Sequence, residues 1–315
     1  MNLNNNLIPL AGDASFRNFY RKKKAIIVYC KKEKKNNLLI YAAINKLLIK
    51  NKIKAPELIS QNYKENYIEI KDLGDLSIYK KLKKKKNKVK YYKKIIFLLL
   101  KLQKIKTKKI KTFINSNYLI PKYSKKKILD ESKLFLKWYI PKVIIKKKRK
   151  ILIKKLNIIF KKLTNKIINR KEIFVHRDFH VSNLMEYKND IAIIDSQDAV
   201  YGNRAYDLAS LIDDVRFKTS IKEKKKIYEQ YVKLNKEIDI KDFKNDFEIL
   251  SILRNFKIIG IFTRLSVRDK KNSYLKLIPY AWNLIDQRLR NNLIFLDLKK
   301  VLDKYFSKKI KRKKI

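Results

Sequence analysis

Both histidines of this 315-residue chain fall in one eight-residue run, His176-Arg177-Asp178-Phe179-His180-Val181-Ser182-Asn183. The run spells His-Arg-Asp, four residues, then Asn. Twelve positions on comes Asp195, at the end of the apolar stretch Ile191-Ala192-Ile193-Ile194. Phosphoryl transfer from ATP to a hydroxyl needs a carboxylate to orient and deprotonate that hydroxyl, and oxygen ligands for magnesium on the phosphates. A tight loop carrying Asp178 and Asn183, followed by a strand-end Asp195, supplies a base, an amide ligand and a carboxylate ligand in that order. Asp178 is therefore expected to be the catalytic base, and Asn183 and Asp195 the Mg²⁺ ligands. Mg²⁺ suits them, since it takes few protein oxygens and completes its shell with phosphates and water. A zinc reading of His176, His180, Asp178 and Asp195 is disfavoured, because it needs a closed ligand set and no cysteine is near.

The rest of the chain has the length and patterning for such a site. At 45% apolar residues it is globular, and 315 residues suffice for two lobes and a sizeable core. No run of about 18 apolar residues is present, so no membrane partner is expected. The one cysteine, Cys30, excludes an internal disulfide, and a cytoplasmic setting is expected. At a strand end, Cys30 reads as a small buried residue and not a nucleophile. The 81 Lys and Arg against 29 Asp and Glu give a formal charge of +52. The lysines are spread over nearly every segment, and Gly is scarce at 4, which is what A/T-rich coding produces. No specific nucleic-acid partner is expected from such a charge, although a basic surface would draw in an anionic nucleotide.

Alternating apolar residues read as short strands at 18–21, 25–30, 57–60 and 66–71, with a helix over 37–50. Asp72-Leu73-Gly74-Asp75 is a compact break. From 76 to about 170 the pattern is helical, with amphipathic runs at 91–103, 127–140 and 150–162. Strands at 172–175 and 190–194 flank the His/Asp run, and from 206 on the pattern is helical again. The expected fold class is α+β: a bilobal protein-kinase-like fold. Residues 1–75 would form a small β-rich nucleotide-binding lobe and hinge, 76–306 a larger, mostly helical lobe with the catalytic loop and metal site, and 307–315 a basic tail that frays.

HRDFHVSNLM followed by IAIIDSQDAVYGNRAYDLASLIDD resembles the aminoglycoside phosphotransferase and choline kinase superfamily. Within it, the likeness is strongest to the bacterial anomeric kinases of N-acetylmuramate and N-acetylglucosamine. PLAGDASFRNFYR, KDLGD, LDESKLFLKWYIPK and LRNFKIIGIFTRLSVRDKKNSYLKLIP extend it, in order, from about residue 9 to 279. The resemblance implies ATP bound at the hinge, with Asp72 and Gly74 in that hinge. It places Gly12, Asp13, Ala14 and Ser15 in a loop whose backbone N–H groups and Ser15 hydroxyl meet the phosphates. It implies an amino-sugar substrate phosphorylated at the anomeric hydroxyl. An aminoglycoside- or choline-type acceptor, with Asp213-Asp214 as an acidic cluster for a cation, is the second reading. A degraded kinase fold acting as a binding module is the third.

Three departures stand out. Kinases of this fold carry a Lys on the third strand paired to a helix Glu; here 25–30 holds no Lys and 37–50 no Glu, leaving Lys31 and Lys32 as nearby cations. Ser196 follows Asp195 where an aromatic is usual. Arg204 stands where a Pro is common, in a stretch whose Asp207 is expected to brace the catalytic loop or cap a helix. Trp138, Tyr139 and Trp282 read as core aromatics rather than sugar platforms.

Overall fold

The computed structural model describes residues 7–10, 17–85, 88–290 and 292–312. In chain order the elements are β1 (Ile8–Leu10), β2 (Asn18–Lys22), β3 (Ala25–Tyr29), α1 (Asn36–Lys50), β4 (Leu58–Asn62), β5 (Tyr67–Lys71), α2 (Ile78–Lys83), α3 (Val89–Gln103), β6 (Lys109–Lys111) and β7 (Asn117–Leu119). Then come α4 (Lys125–Ser132), α5 (Ile140–Val143), α6 (Lys146–Asn165), β8 (Glu172–Val175), β9 (Leu184–Tyr187), β10 (Asp190–Ile193) and β11 (Val200–Asn203). Six helices complete the chain: α7 (Ala205–Ile212), α8 (Ile221–Leu234), α9 (Ile240–Asp269), α10 (Ile278–Leu289), α11 (Leu296–Tyr305) and α12 (Lys308–Arg312). Contacts divide the chain into two compact units, Met1–Lys122 with Ile173–Tyr201, and Tyr123–Glu172 with Gly202–Ile315.

The first unit is built on an antiparallel five-stranded sheet in the order β1-β2-β3-β5-β4. β3 reads AIIVY and is central, which suits its continuous β-branched run. Its inward side chains Ile26 and Val28 pack with Ile68 and Ile70 of β5 and with Leu38, Tyr41 and Ala42 of α1. The β9–β10 hairpin, in register Leu184↔Ile193 to Tyr187↔Asp190, belongs to the same unit. It is joined to the segment after β5 by Glu186 N–H donating to Leu76 O at 2.9 Å.

The second unit is all helical apart from single strand ends. The 30-residue α9 is its axis, capped by Asp239, whose side chain accepts from Asp242 N–H. Phe256 of α9 meets Phe135 edge-on at 4.8 Å between centroids and Trp282 of α10 at 6.0 Å. Trp282 Nε1 donates to Tyr139 OH at 2.9 Å, and both residues are fully buried, so they are core as expected. Trp138 is half-buried.

The structure departs from the sequence pattern in several places. The helix expected over 127–140 breaks after Ser132 and continues as a π-helical turn, Phe135–Tyr139. A Cβ on Gly260 would lie 2.3 Å from Leu134 C and 2.5 Å from Phe135 N. Only glycine lets α9 approach that backbone so closely. Within the stretch expected to be helical to 170, β6 and β7 form a hairpin, closed by Thr112 N–H donating to Ser116 O at 2.9 Å. β9 and β11 are strands that apolar alternation does not announce, and residues 308–312 of the basic tail are helical where fraying was expected.

Candidate active site

The His/Asp run sits in the first unit, between β8 and β9. Phe179 and Val181 are buried at 0% and 1% exposure and pin the loop from below. Asp178, beside them, is half-buried. Its carbonyl accepts from His180 N–H at 3.0 Å and from Asn183 Nδ2 at 3.0 Å. With Nδ2 so used, the Asn183 Oδ1 is the end left for a ligand. Arg177, just before Asp178, has φ of 75°, a left-handed backbone that costs a non-glycine residue roughly 1–2 kcal/mol. Such strain persists only where surrounding contacts impose it, and it collects at functional loops.

The hairpin brings Asp195 to this loop. Beyond the last register pair, Leu184↔Ile193, Ile194 N–H donates to Asn183 O at 3.0 Å. His176 Nε2 lies 3.1 Å from Ile194 O, tying the start of the run to the same strand end. Asp195 follows at once with φ of 65°, a second left-handed residue, which turns its carboxylate out of the strand. The side chain is 36% exposed. Asp178, Asn183 and Asp195, picked out by spacing alone, thus stand on one loop and the strand end bonded to it.

The sequence did not reveal what holds Asp195. Arg17, the residue before β2, has a side chain only 2% exposed. Its Nη2 is ion-paired to Asp195 Oδ1, and its Nη1 donates to Gln197 Oε1 at 2.8 Å. Its guanidinium lies 4.9 Å from the Tyr41 ring centroid and 5.4 Å from that of Phe19. Tyr41 belongs to α1, and its hydroxyl is pushed up by burial, with Arg17 opposing. One turn along α1, Asn45 Oδ1 accepts from Ser196 Oγ at 2.6 Å; both residues are buried. Ser196, one of the departures from the usual kinase pattern, is thereby tied to α1. The small serine after Asp195 and an amide on α1 close against each other. Arg17, the residue before β2, is the buried cation paired with Asp195. Lys31 and Lys32 are exposed.

The hinge residues are placed but otherwise engaged. Asp72 Oδ2 accepts from Arg21 Nε at 2.6 Å, and its Oδ1 accepts from Gly74 N–H at 2.8 Å. Gly74 has φ of 82°, which requires glycine at this turn. Leu73 between them packs with Met185 of β9 and Ala192 of β10, with Ile194 against that cluster. An apolar floor thus runs from the hinge to Asp195. The loop Gly12, Asp13, Ala14 and Ser15 lies outside the described residues. Cys30 is fully buried, and burial pushes its thiol up to about 11, so it is inert, as its position implied.

No group of three or more His, Cys, Asp or Glu that could hold a metal ion occurs among the described residues. The donor set here is of another kind: one amide oxygen and one carboxylate oxygen. Asp195 Oδ2 makes no hydrogen bond among the described residues, since Arg17 takes Oδ1. Two hard oxygens fit a magnesium ion that shares its shell with phosphates.

The model of the phosphotransferase enzyme family matches residues 6–233, a span holding the sheet, the His176–Asn183 run and the β9–β10 hairpin. The chain belongs to that family. As a phosphotransferase it is similar to the N-acetylmuramate/N-acetylglucosamine kinase of Neisseria meningitidis, at 24% identity over 87% of this chain and 83% of the relative. The enzyme so named from Pseudomonas aeruginosa is 22% identical over 89% of this chain and 82% of the relative. Among solved structures, a choline/ethanolamine kinase family protein from Mesorhizobium loti superposes with a TM-score of 0.64 at 11% identity, covering 95% of this chain and 93% of that one. An ADP-bound aminoglycoside phosphotransferase gives 0.62 at 16% identity, over 89% and 92%. The fold of this phosphotransferase is therefore the protein-kinase-like one expected, with a small antiparallel sheet and a larger helical part.

Proposed function

We propose that this phosphotransferase moves the γ-phosphoryl group of ATP to an amino-sugar hydroxyl, the anomeric one of N-acetylmuramate or N-acetylglucosamine. The observation that carries the reading is the assembly of Asp178, Asn183 and Asp195 through the Ile194–Asn183 backbone bond. The relatives that share most of the chain's length supply the acceptor class.

In this reading the Asp178 carboxylate accepts a hydrogen bond from the acceptor hydroxyl and takes its proton as the oxygen attacks phosphorus. The anomeric hydroxyl is the most acidic on such a sugar ring, so a carboxylate suffices. Asn183 Oδ1 and Asp195 Oδ2 would hold magnesium, which when bound offsets charge on the β- and γ-phosphates. Arg17 fixes Asp195 in its left-handed pose and places a buried positive charge beside the transferring group, the role that a strand lysine usually fills. The Gly12–Ser15 backbone would receive phosphate oxygens. The adenine would lie on the Leu73, Met185 and Ile194 floor, with its edge toward the backbone from Asp72 to Gly74. No helix among the described residues is long and apolar enough to cross a membrane, and a small acceptor from the cytoplasmic pool is the partner this reading implies.

The test is a panel of acceptors with ATP and magnesium, read by phosphorus NMR of the product. Transfer to the anomeric oxygen of either amino sugar supports the reading. Preferred transfer to an aminoglycoside or to choline would move the assignment to the second class.

A further inference from the structure

Asp195 leads straight into a single 3-10 turn, Ser196–Asp198. The turn leaves Gln197 buried and Asp198 exposed. The Gln197 amide is engaged at both ends. Its Oε1 accepts from Arg17 Nη1 at 2.8 Å, and its Nε2 donates to Asp198 Oδ2 at 2.9 Å. The other Asp198 oxygen, Oδ1, lies 3.8 Å from Arg177 Nη1. With the Arg17–Asp195 ion pair, five side chains stand in one unbroken line: Asp195, Arg17, Gln197, Asp198 and Arg177. All five belong to the first unit. The line starts on the proposed metal ligand and ends on the residue joined by a peptide bond to Asp178.

The order of groups along this line fixes how the amide must sit. Turned over, it would set Nε2 against Arg17 Nη1, donor on donor, and Oε1 against Asp198 Oδ2, acceptor on acceptor. A carboxylate at this position would compete with Asp195 for the one guanidinium and would stand against Asp198. A neutral amide orients Arg17 Nη1 and leaves the charge of the guanidinium to Asp195. Asp198 is in turn offset by Arg177, so the line alternates in sign on either side of the amide.

We infer that Gln197 is a positioning residue for phosphoryl transfer, acting through Arg17 to set where Asp195 presents its metal-binding oxygen. Asp198, steadied by Arg177, holds the amide in the one useful orientation. The Ile194–Asn183 backbone bond ties the two proposed metal ligands together on one side. The side-chain line ties Asp195 to the start of the Asp178 loop on the other. The inference rests on the reading of Asp195 as a magnesium ligand.

The test is a double-mutant cycle of Gln197→Met and Arg17→Met, on variants shown to be folded by circular dichroism. Methionine keeps the length of the glutamine and removes both polar ends. Three quantities are read: Mg·ADP affinity by calorimetry, kcat and KM for Mg·ATP, and the Arg17 side-chain NMR signals of the metal-free protein. Gln197→Met alone is expected to weaken Mg·ADP binding about tenfold, the low end for a hydrogen bond to a charged group. Saturating magnesium should restore most of kcat, because Asp178 is untouched. In the Arg17→Met background the same change should add less than twofold, since no guanidinium is left for Gln197 to hold. The Arg17 signals should shift in Gln197→Met before any metal is added. Full additivity in the cycle, or Mg·ADP affinity within twofold of wild type in folded Gln197→Met, overturns the inference. Should Arg17→Met fail to fold, unchanged Arg17 signals in Gln197→Met overturn it equally. If wild type itself neither binds Mg·ADP nor releases ADP, the metal reading of Asp195 falls, which the wild-type measurement alone reveals.

Discussion

Replacing Arg17 by Met removes one charge and leaves a side chain of similar reach. It deletes the bond to Gln197 at 2.8 Å, the ion pair to Asp195 and two ring contacts, at 4.9 and 5.4 Å. A hydrogen bond to a charged group contributes about 1.5–3 kcal/mol. If only the bond to Asp195 matters to the transition state, the same range in ΔΔG‡ is roughly a 10- to 150-fold fall in kcat/KM for Mg·ATP. The fall should come with a weaker apparent magnesium affinity, because Asp195 would no longer be held in its left-handed pose. Arg17→Lys keeps a charge but cannot reach both Asp195 and Gln197 with one fork, so it should recover part of the loss. The assay is steady-state kinetics with ATP and magnesium varied separately, on variants shown to be folded by circular dichroism. A folded Arg17→Met protein with magnesium dependence and kcat/KM within twofold of wild type would refute the role given to Arg17.

Other expectations follow from the second unit. Gly260→Ala places a Cβ 2.3 Å from backbone at Leu134, so denaturant unfolding should show a loss of about 3 kcal/mol or more. Burial alone would push Asp213 up, but Arg288 and Lys224 beside it hold its carboxyl down, at about 2. Its folded-state value lies below the ordinary one, so its stabilising contribution is fully present above about pH 4 and drains as pH falls toward 2. Asp213→Asn should remove this acid limb from the pH–stability curve. It should also cost about 3–5 kcal/mol at neutral pH, by leaving Lys224 and Arg288 uncompensated.

The parts of the site that lie close together along the chain are legible in its sequence. His176 to Asn183 and Asp195 are joined by one hairpin, and spacing along a hairpin maps directly onto space. The hairpin's own first strand escapes apolar alternation, although another signal is present: Lys188-Asn189 both adopt positive φ, at 49° and 60°, in the two-residue turn that Asn favours. Asn115, with φ of 60°, marks the β6–β7 turn in the same way. The contacts of Arg17 with Asp195 and of Asn45 with Ser196 span 178 and 151 residues. No periodicity reports such pairs, and in a chain with 81 Lys and Arg a single arginine stands out from nothing. The backbone after α4 meets another such distant partner, Gly260, more than a hundred residues away in sequence.

Asp178 is the residue on which the account turns. The direct measurement is ADP release with N-acetylmuramate or N-acetylglucosamine as acceptor, for wild type and Asp178→Asn, with ATP binding followed in parallel by calorimetry. The account predicts sugar-dependent ADP release by wild type. For Asp178→Asn it predicts a fall of roughly 10²–10⁴-fold with ATP still bound. An Asp178→Asn protein that turns over ATP and sugar at the wild-type rate would contradict it.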